Sequence, residues 1–287
     1  MFTANLMGGK GSSVHQRHKY AVIAIVVFVA AGGAFLAFGR GIWYPLLLRV
    51  SGPRTVADVV AKYGPAARAR LAPHFRRADV AYPPKEIAIL VLKKERRVAV
   101  WVRGGAAGSR PAAWRFLRNY PILAASGHAG PKLREGDRQV PEGVYRIEHL
   151  NPNSSYHLSM KVSYPNAFDR RMAKLDGRTR LGGDIFIHGK DVSIGCVALG
   201  DPAIEELFTM VAETGHAKVR VIIAPNDLRV ARPVLHAEAP PWVRELYRTV
   251  AAALAAFPVS MESDRAVNVT GYPKAFVTTD PARAARD

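Results

Sequence analysis

The chain has 287 residues, 49% hydrophobic and 22% charged, proportions that allow one large core with appendages and exclude wholesale disorder. Its single cysteine excludes an intramolecular disulfide and a multi-thiolate metal site, so the thiol is either inert packing or chemistry. With 41 Lys+Arg against 23 Asp+Glu the net charge is +18, which favours a polyanionic partner. No helix-turn-helix pattern, zinc finger or aromatic-interleaved basic run accompanies that charge, and nucleic acid is set aside.

Residues 1–19 carry Lys10, Arg17 and Lys19 and no acid. Tyr20 to Phe38 then runs nineteen residues without a charge. As a helix it would be roughly 28 Å long, close to the hydrocarbon thickness of a bilayer. A buried soluble helix of that length usually carries some polar residue, so 20–38 is expected to be a transmembrane signal anchor. The small residues near its end leave a cleavable signal peptide as the alternative. Arg40, Arg49 and Arg54 follow the segment, so basic residues on its two sides do not fix its orientation.

Residues 51–84 predict a short helical neck. Val56, Val59 and Val60 share a stripe that should stop at Gly64-Pro65, and Pro73 should interrupt the piece that follows. "YPP" at 82–84 marks a boundary. From Lys85 the pattern turns to strands: "KEIAILVLKKERRVAVWV" reads as a hairpin about a charged turn. "PILAASG", "GVYRIEHL", "YHLSMKVSY", "DIFIHG" and "KVRVIIAP" are further short strands. One helix interrupts them at 202–214, with Asp201 as the expected N-cap and Pro202 in the first turn. After Asn226 an irregular stretch leads to an amphipathic helix over 241–257, within a C-terminal extension spanning 228–287. The fold class is therefore mainly β, a β-rich α+β arrangement.

The stretch "IFIHGKDVSIGCVALGD" holds the one thiol, Cys196. Alternation along "DIFIH" puts Phe186 and His188 on one face, and Gly189 ends the strand. Gly195 removes a side chain directly before Cys196, so backbone amides can approach a reacting carbonyl oxygen. A thiol is a poor nucleophile until a base takes its proton, and an imidazole can do so and then protonate a departing amine. An inert cysteine beside a hydrogen-bonded core histidine fits the residues equally well.

The ordered set "GPKLREGDRQVPEGVYRI", "NPNSSYHLSMKVSYPNAFDR" and "IHG" followed by "SIGC" resembles the L,D-transpeptidase catalytic domain, or YkuD domain, of bacterial cell-wall enzymes. The neck at 54–84 is similar to the segment preceding the domain in the YafK-type branch. The resemblance implies a YkuD-like β-sandwich catalytic domain over 85–227 with a packed helix. It also implies that Cys196 is the acyl-accepting nucleophile and His188 its general base and acid. The carbonyl of Gly189 would orient the ring, and the amides of Gly195 and Cys196 would hold the oxyanion. The implied partner is peptidoglycan, with an envelope lipoprotein as a second one. The implied location is the bacterial inner membrane, with residues 1–19 in the cytoplasm and the catalytic domain in the periplasm.

Three departures stand out. Most members carry a Ser/Thr-His-Gly-Cys signature, where this chain has Ser193-Ile194-Gly195-Cys196. Val197, Ala198 and Leu199 replace the usual arginine or asparagine pattern after the cysteine, and the His-to-Cys spacing is short. The YafK-type branch shares these features, and it includes hydrolases that detach a lipoprotein from peptidoglycan. Transpeptidase, hydrolase and a non-catalytic wall tether therefore all stand as readings.

Candidate substrate contacts are Arg170 and Arg171, whose forks suit the carboxylates of a stem peptide, with Tyr164 as a cleft wall and Ser193 beside the thiol. Loop 130–143 reads as a structural connection, with its charged residues Lys132, Arg134 and Asp137 as the alternative candidates to line the cleft. His157 reads as an ordinary strand residue. The histidines lack metal-ligand spacing, and no metal or cofactor is expected.

Overall fold

The computed structural model describes residues 12–38, 52–104, 113–233, 235 and 238–259. The chain divides into two compact units, Met1–Pro53 and Arg54–Asp287. In the first, helix α1 covers Ser12–Phe38, and its apolar residues Tyr20, Val22, Ile23, Phe28 and Phe35 are all exposed. The side chains of Ala21, Ala34 and Leu36 to Phe38 lie outside the described ones. Among the described residues no helix is long and apolar enough to cross a membrane, so the expected spanning segment is present as a helix only. Most of the extension expected at 228–287, from residue 260 onward, also lies outside the described residues.

The second unit opens with α2 (Val56–Ala78), started by a Thr55/Asp58 capping box and ended by Asp79 in the left-handed region at φ 53°. The neck was expected to break at Gly64-Pro65 and at Pro73, but the helix runs through both prolines. Each interior proline costs about 3 kcal/mol. The cost is offset because the stripe Val59, Leu71 and Phe75 is buried in the main core, at about 1.5–3 kcal/mol for each large side chain. Arg70 adds ion pairs to Glu205 and Glu206 at 3.2 and 2.6 Å.

The strands are β1 (Glu86–Leu92), β2 (Arg97–Arg103), β3 (Arg115–Pro121), β4 (Gly143–Asn151), β5 (Ser159–Val162), β6 (Phe186–His188), β7 (Val197–Ala198) and β8 (Val219–Ala224). They form one eight-stranded sheet in the order β3-β2-β1-β8-β4-β5-β6-β7. The β1–β2 hairpin forms as the sequence predicts, while β8 lies parallel to β1. Alternate residues of β1 enter two different cores: Ile87, Ile89 and Val91 face one, and Ala88, Leu90 and Leu92 face the other. Burial on both faces explains why this strand is a continuous apolar run rather than an alternating one.

The expected β-sandwich is instead a single curled sheet. Strand β4 is nine residues long, pairing with β8 through Gly143–Arg146 and with β5 through Ile147–Asn151. A register shift between Ile147 and His149 marks the place where the sheet changes direction. The strand expected at "PILAASG" lies earlier, at Arg115–Pro121, leaving only a bridge from Ala124 to Ala198.

Helix α3 (Ala167–Leu175), which the sequence reading passed over, starts at an Asn166/Asp169 capping box. Helix α4 (Asp201–Thr214) packs Ile204, Leu207, Phe208 and Val211 into the main core. Its N-cap is Gly200 rather than the expected Asp201. Helix α5 (Val243–Leu254) falls within the predicted 241–257 and covers the second face of the sheet with Val243, Leu246, Val250 and Leu254.

Glu206 of α4 is buried and accepts from Arg70 Nε at 2.6 Å, Arg118 Nη1 at 2.7 Å and Tyr120 Oη at 2.7 Å, tying α2, α4 and β3 together. Glu206→Ala strands these donors. It should lower stability by about 3 kcal/mol, the low end for breaking a buried ion pair because Arg70 is 37% exposed. A urea midpoint that stays within error of the parent would show that this network does not carry the packing.

Candidate active site

Strand β6 is three residues long and held on both sides. His188 pairs with Ser159 of β5 in antiparallel register and with Ala198 of β7 in parallel register. Residues level with each other across a ladder point to the same face. Cys196 lies in the bend directly before β7, two residues ahead of Ala198, the register partner of His188. The strand-and-return geometry expected from the sequence thus brings the two onto adjoining segments.

His188 is 2% exposed. Its Nδ1 lies 2.6 Å from the Gly189 carbonyl oxygen. A carbonyl only accepts, so Nδ1 carries the hydrogen and Nε2 keeps its lone pair. Burial pushes the imidazole below its ordinary pKa, opposed by the bond to Gly189, so the ring is neutral near pH 7. Tyr156 lies on the ring, with centroids 4.6 Å apart and planes inclined by 34°.

Gly189 sits where no larger residue fits. A Cβ there would meet Asp201 Oδ1 at 2.7 Å and the Tyr156 carbonyl oxygen at 2.8 Å. Asp201, released from capping α4, accepts from the Lys190 backbone N–H at 3.0 Å and from Lys190 Nζ at 2.5 Å. Bonds from Leu199 N to His188 O and from Gly200 N to Lys190 O, each 2.9 Å, complete the turn after the imidazole.

Cys196 is partly exposed. Its backbone N–H donates to Ser193 Oγ at 3.0 Å, and that hydroxyl donates to the Cys196 carbonyl at 2.6 Å. The thiol donates weakly to the Asp184 carbonyl at 3.7 Å. Burial pushes the thiol pKa up, opposed by the Phe186 backbone N–H; Asp184 pushes it further up and Lys132 pulls it down. The resting pair is therefore a neutral thiol and a neutral imidazole rather than a thiolate–imidazolium pair. Gly195 is at φ +117°, a conformation L side chains rarely adopt.

The loop behind Gly195 is rigidly built. Gln139 accepts from His128 N and donates to the carbonyls of His128 and Gly130. Buried Glu142 takes bonds from Gly130 N, Lys93 Nζ and Tyr247 Oη at 2.9, 2.8 and 2.7 Å. Lys132, itself buried, is held by Asp137 at 2.5 Å. Loop 130–143 is thus a structural connection, as the sequence reading had it, and it also brings the Lys132 charge to bear on the thiol.

Each predicted substrate contact has a partner within the fold. Tyr164 is 3% exposed, and its hydroxyl donates to the carbonyls of Lys132 and Leu181, so it is a core post and no cleft wall. Arg170 donates to the Pro165 carbonyl. Arg171 reaches Glu245 of α5 at 2.8 Å and lies over the Phe168 ring. Ser193 closes its own turn on Cys196. Of the two amides assigned to the oxyanion, that of Cys196 is held by Ser193. His157 is more than an ordinary strand residue: it adopts φ 74° in the β4–β5 loop, and its Nε2 lies 3.0 Å from Glu205. Tyr156 and Asp184 were not predicted as neighbours of the site and only their place in the fold reveals them, whereas Lys132 was among the candidate cleft residues. Among the described residues no group of His, Cys, Asp or Glu could hold a metal ion.

Residues 86–223 match the family model of the L,D-transpeptidase catalytic domain, YkuD, the family resemblance carried by the sequence motifs. The chain is similar to the protein named "Putative L,D-transpeptidase YafK" of Escherichia coli strain K12, with 34% identity over 155 residues, covering 52% of this chain and 58% of that one. The same figures hold for its counterpart in the O157:H7 strain. The chain thus spans little more than half the length of these curated relatives. Among solved structures it is similar to the helical cell shape determining protein Pgp2 of Campylobacter jejuni, at 25% identity and TM-score 0.38, covering 49% of this chain and 48% of that one.

A neutral pair has a direct signature. Because burial raises the thiol, alkylation of Cys196 by iodoacetamide should be slow at pH 7 and still rising above about pH 9. A rate already level by about pH 7 would mean a preformed thiolate and overturn this electrostatic description.

Proposed function

We propose that this chain is a cysteine acyltransferase of the cell envelope, acting on peptidoglycan stem peptides. The observation that carries the reading is the Nδ1–H bond of His188 to the Gly189 carbonyl at 2.6 Å. It commits Nε2 as the basic nitrogen on the strand that pairs with the segment following Cys196. The match of residues 86–223 to the L,D-transpeptidase catalytic domain supports the substrate class.

In the proposed reaction His188 Nε2 takes the thiol proton as Cys196 Sγ attacks the carbonyl carbon after the diamino acid of a donor stem. The resulting oxyanion is stabilised by backbone N–H groups; Gly195 supplies one, and Cys196 supplies another once it leaves Ser193. Collapse breaks the C–N bond, the imidazolium gives its proton to the departing D-alanine amine, and a thioester remains. The amine of a second stem then gives a proton to Nε2 and attacks the thioester carbon. The C–S bond breaks, Cys196 recovers the proton, and a 3–3 cross-link results. If a lipoprotein lysine is the acceptor, the same steps attach that protein. If water is the acceptor, or if the attacked bond already joins a lipoprotein to the wall, the same residues make a hydrolase.

The reading includes an inner-membrane anchor at 20–38 with the second unit in the periplasm. Its support is the uncharged run Tyr20–Phe38, the exposure of its apolar side chains, and a substrate that lies outside the cytoplasm. A reporter active only after export, fused after Asp287, should be active; a signal from a cytoplasm-only reporter would overturn both anchor and substrate.

Incubating the full chain in detergent with purified muropeptides, followed by mass analysis, tests the chemistry. A cross-linked dimer with loss of D-alanine is expected; a trimmed monomer alone would assign the hydrolase. Cys196→Ala should abolish either product while wall binding survives; a parent chain that binds the wall and yields neither product would be a tether. His188→Ala should cost at least about a hundredfold in rate, partly restored at alkaline pH. Unchanged turnover in His188→Ala would remove the proposed base.

A further inference from the structure

We propose that Tyr156 is a positioning residue for the catalytic base: its ring, lying on the imidazole of His188, fixes the plane in which Nε2 meets the thiol and keeps water off that face. The proposal rests on His188 acting as the base. His188 is 2% exposed and Tyr156 38% exposed, so the phenol ring is the layer between the imidazole and solvent. The centroid separation of 4.6 Å and the 34° inclination are those of a close, tilted ring contact. A single hydrogen bond at Nδ1 fixes one point of the imidazole and leaves it free to swing about that point. The stacked ring removes the remaining freedom.

Tyr156 is itself held from several directions. Its N–H donates to Ser154 Oγ at 3.1 Å, and its carbonyl accepts from Leu158 N at 3.0 Å. Next to it, His157 is pinned by Glu205 at 3.0 Å and by the edge of the Tyr63 ring at 5.1 Å. Asn153 and Arg54 exchange reciprocal bonds of 2.9 and 2.8 Å, while Arg54 Nη2 reaches the Pro152 and His157 carbonyls. The start of α2 and the N-terminal part of α4 thus clamp the loop that carries the ring. The Tyr156 hydroxyl makes no hydrogen bond among the described residues, so the ring face and not the phenol is the working part.

The titratable and charged groups round the imidazole are few. They are the Cys196 thiol beyond β7, the Tyr156 phenol, the Lys190–Asp201 pair beyond Gly189, the His157–Glu205 pair of the loop and α4, and Lys161 of β5. Burial, to which Tyr156 contributes, is the first cause of the lowered imidazole pKa.

The test uses the full chain in detergent with 15N-labelled histidine, with the His188 signals assigned by their loss in His188→Gln. In the parent, His188 should keep its proton on Nδ1 and titrate below the ordinary ~6.5. In Tyr156→Ala it should move up toward the ordinary ~6.5, so that less of the ring is neutral at pH 6. The kcat on stem peptides should then fall about tenfold at pH 8 and further at pH 6, and KM should stay within about twofold. Tyr156→Phe should match the parent in every respect. If Tyr156→Ala does not fold, Tyr156→Leu, which fills the space without a planar face, should show the same loss of kcat. Unchanged titration and kcat in the Ala or Leu variant, or a Phe variant that behaves like Ala, would overturn the proposal. A parent that turns over no stem peptide would count against the proposed function instead, and the histidine titration would still decide the role of Tyr156.

Discussion

The absence of a Cβ at Gly189 is the constraint on which the site depends. Three segments with no sequence relation meet at that atom position: the end of β6, the Tyr156 carbonyl of the β4–β5 loop, and Asp201 at the start of α4, the last two within 2.8 Å of where a Cβ would lie. Because they can close so tightly, the Gly189 carbonyl turns back on the imidazole, Asp201 can serve the Lys190 turn instead of capping its helix, and Tyr156 comes to lie over the ring. Enlarging residue 189 would separate all three together. The helix start gives up its side-chain cap, ordinarily about 1 kcal/mol, to a bond that shapes the turn.

Much of this could be read before the fold was known, and the reason is local. The thiol, the histidine and the glycines beside each lie within one short stretch, so strand alternation and glycine placement marked them as candidates, and the ordered motifs around them carried the family resemblance that implies the pairing. The β1–β2 hairpin and the α4 and α5 stripes were equally legible, since periodicity is a property of adjacent residues. What escaped depends on distant residues. Proline in α2 reads as a break, yet Leu71 and Phe75 keep the helix intact by burial against a core built from the far half of the chain. Arg170 and Arg171 read as free cations; Arg171 is taken by Glu245 of α5. Tyr164 beside a proline reads as a surface aromatic and is buried between two loops. Nothing in the stretch around Tyr156 signals that it will cover the base, because only the curl of the sheet at β4 brings that loop to β6.

The site is stiffened from its far side as well. Tyr247 of α5 reaches through to Glu142, and Glu142 in turn holds Gly130 and Lys93. The C-terminal helix therefore braces the loop against which the Gly195 turn rests, with the Gln139 carbonyl 3.8 Å from the place a Gly195 side chain would occupy. A carboxylate with 0% exposure and three donors is costly to assemble and costlier to disturb. That arrangement suits a part whose value lies in staying still: the amides near the thiol stabilise a transient charge only if they need not reorganise.

The parallel pairing of β1 with β8 has a consequence for how the chain reaches this state. Ile87 lies level with Val219, so the pair closes a loop on the order of 130 residues, a costly early step in chain entropy. Strands β4 to β7, the turn at Gly189 and the thiol all lie inside that loop, and β4 joins the sheet only along the edge that β8 provides. The chemistry-bearing half consequently has no template until nearly the whole domain has been made. On a ribosome Cys196 emerges before Val219–Ala224, the strand that organises its surroundings, so the stretch around the thiol takes its final place only when the last strand of the sheet docks.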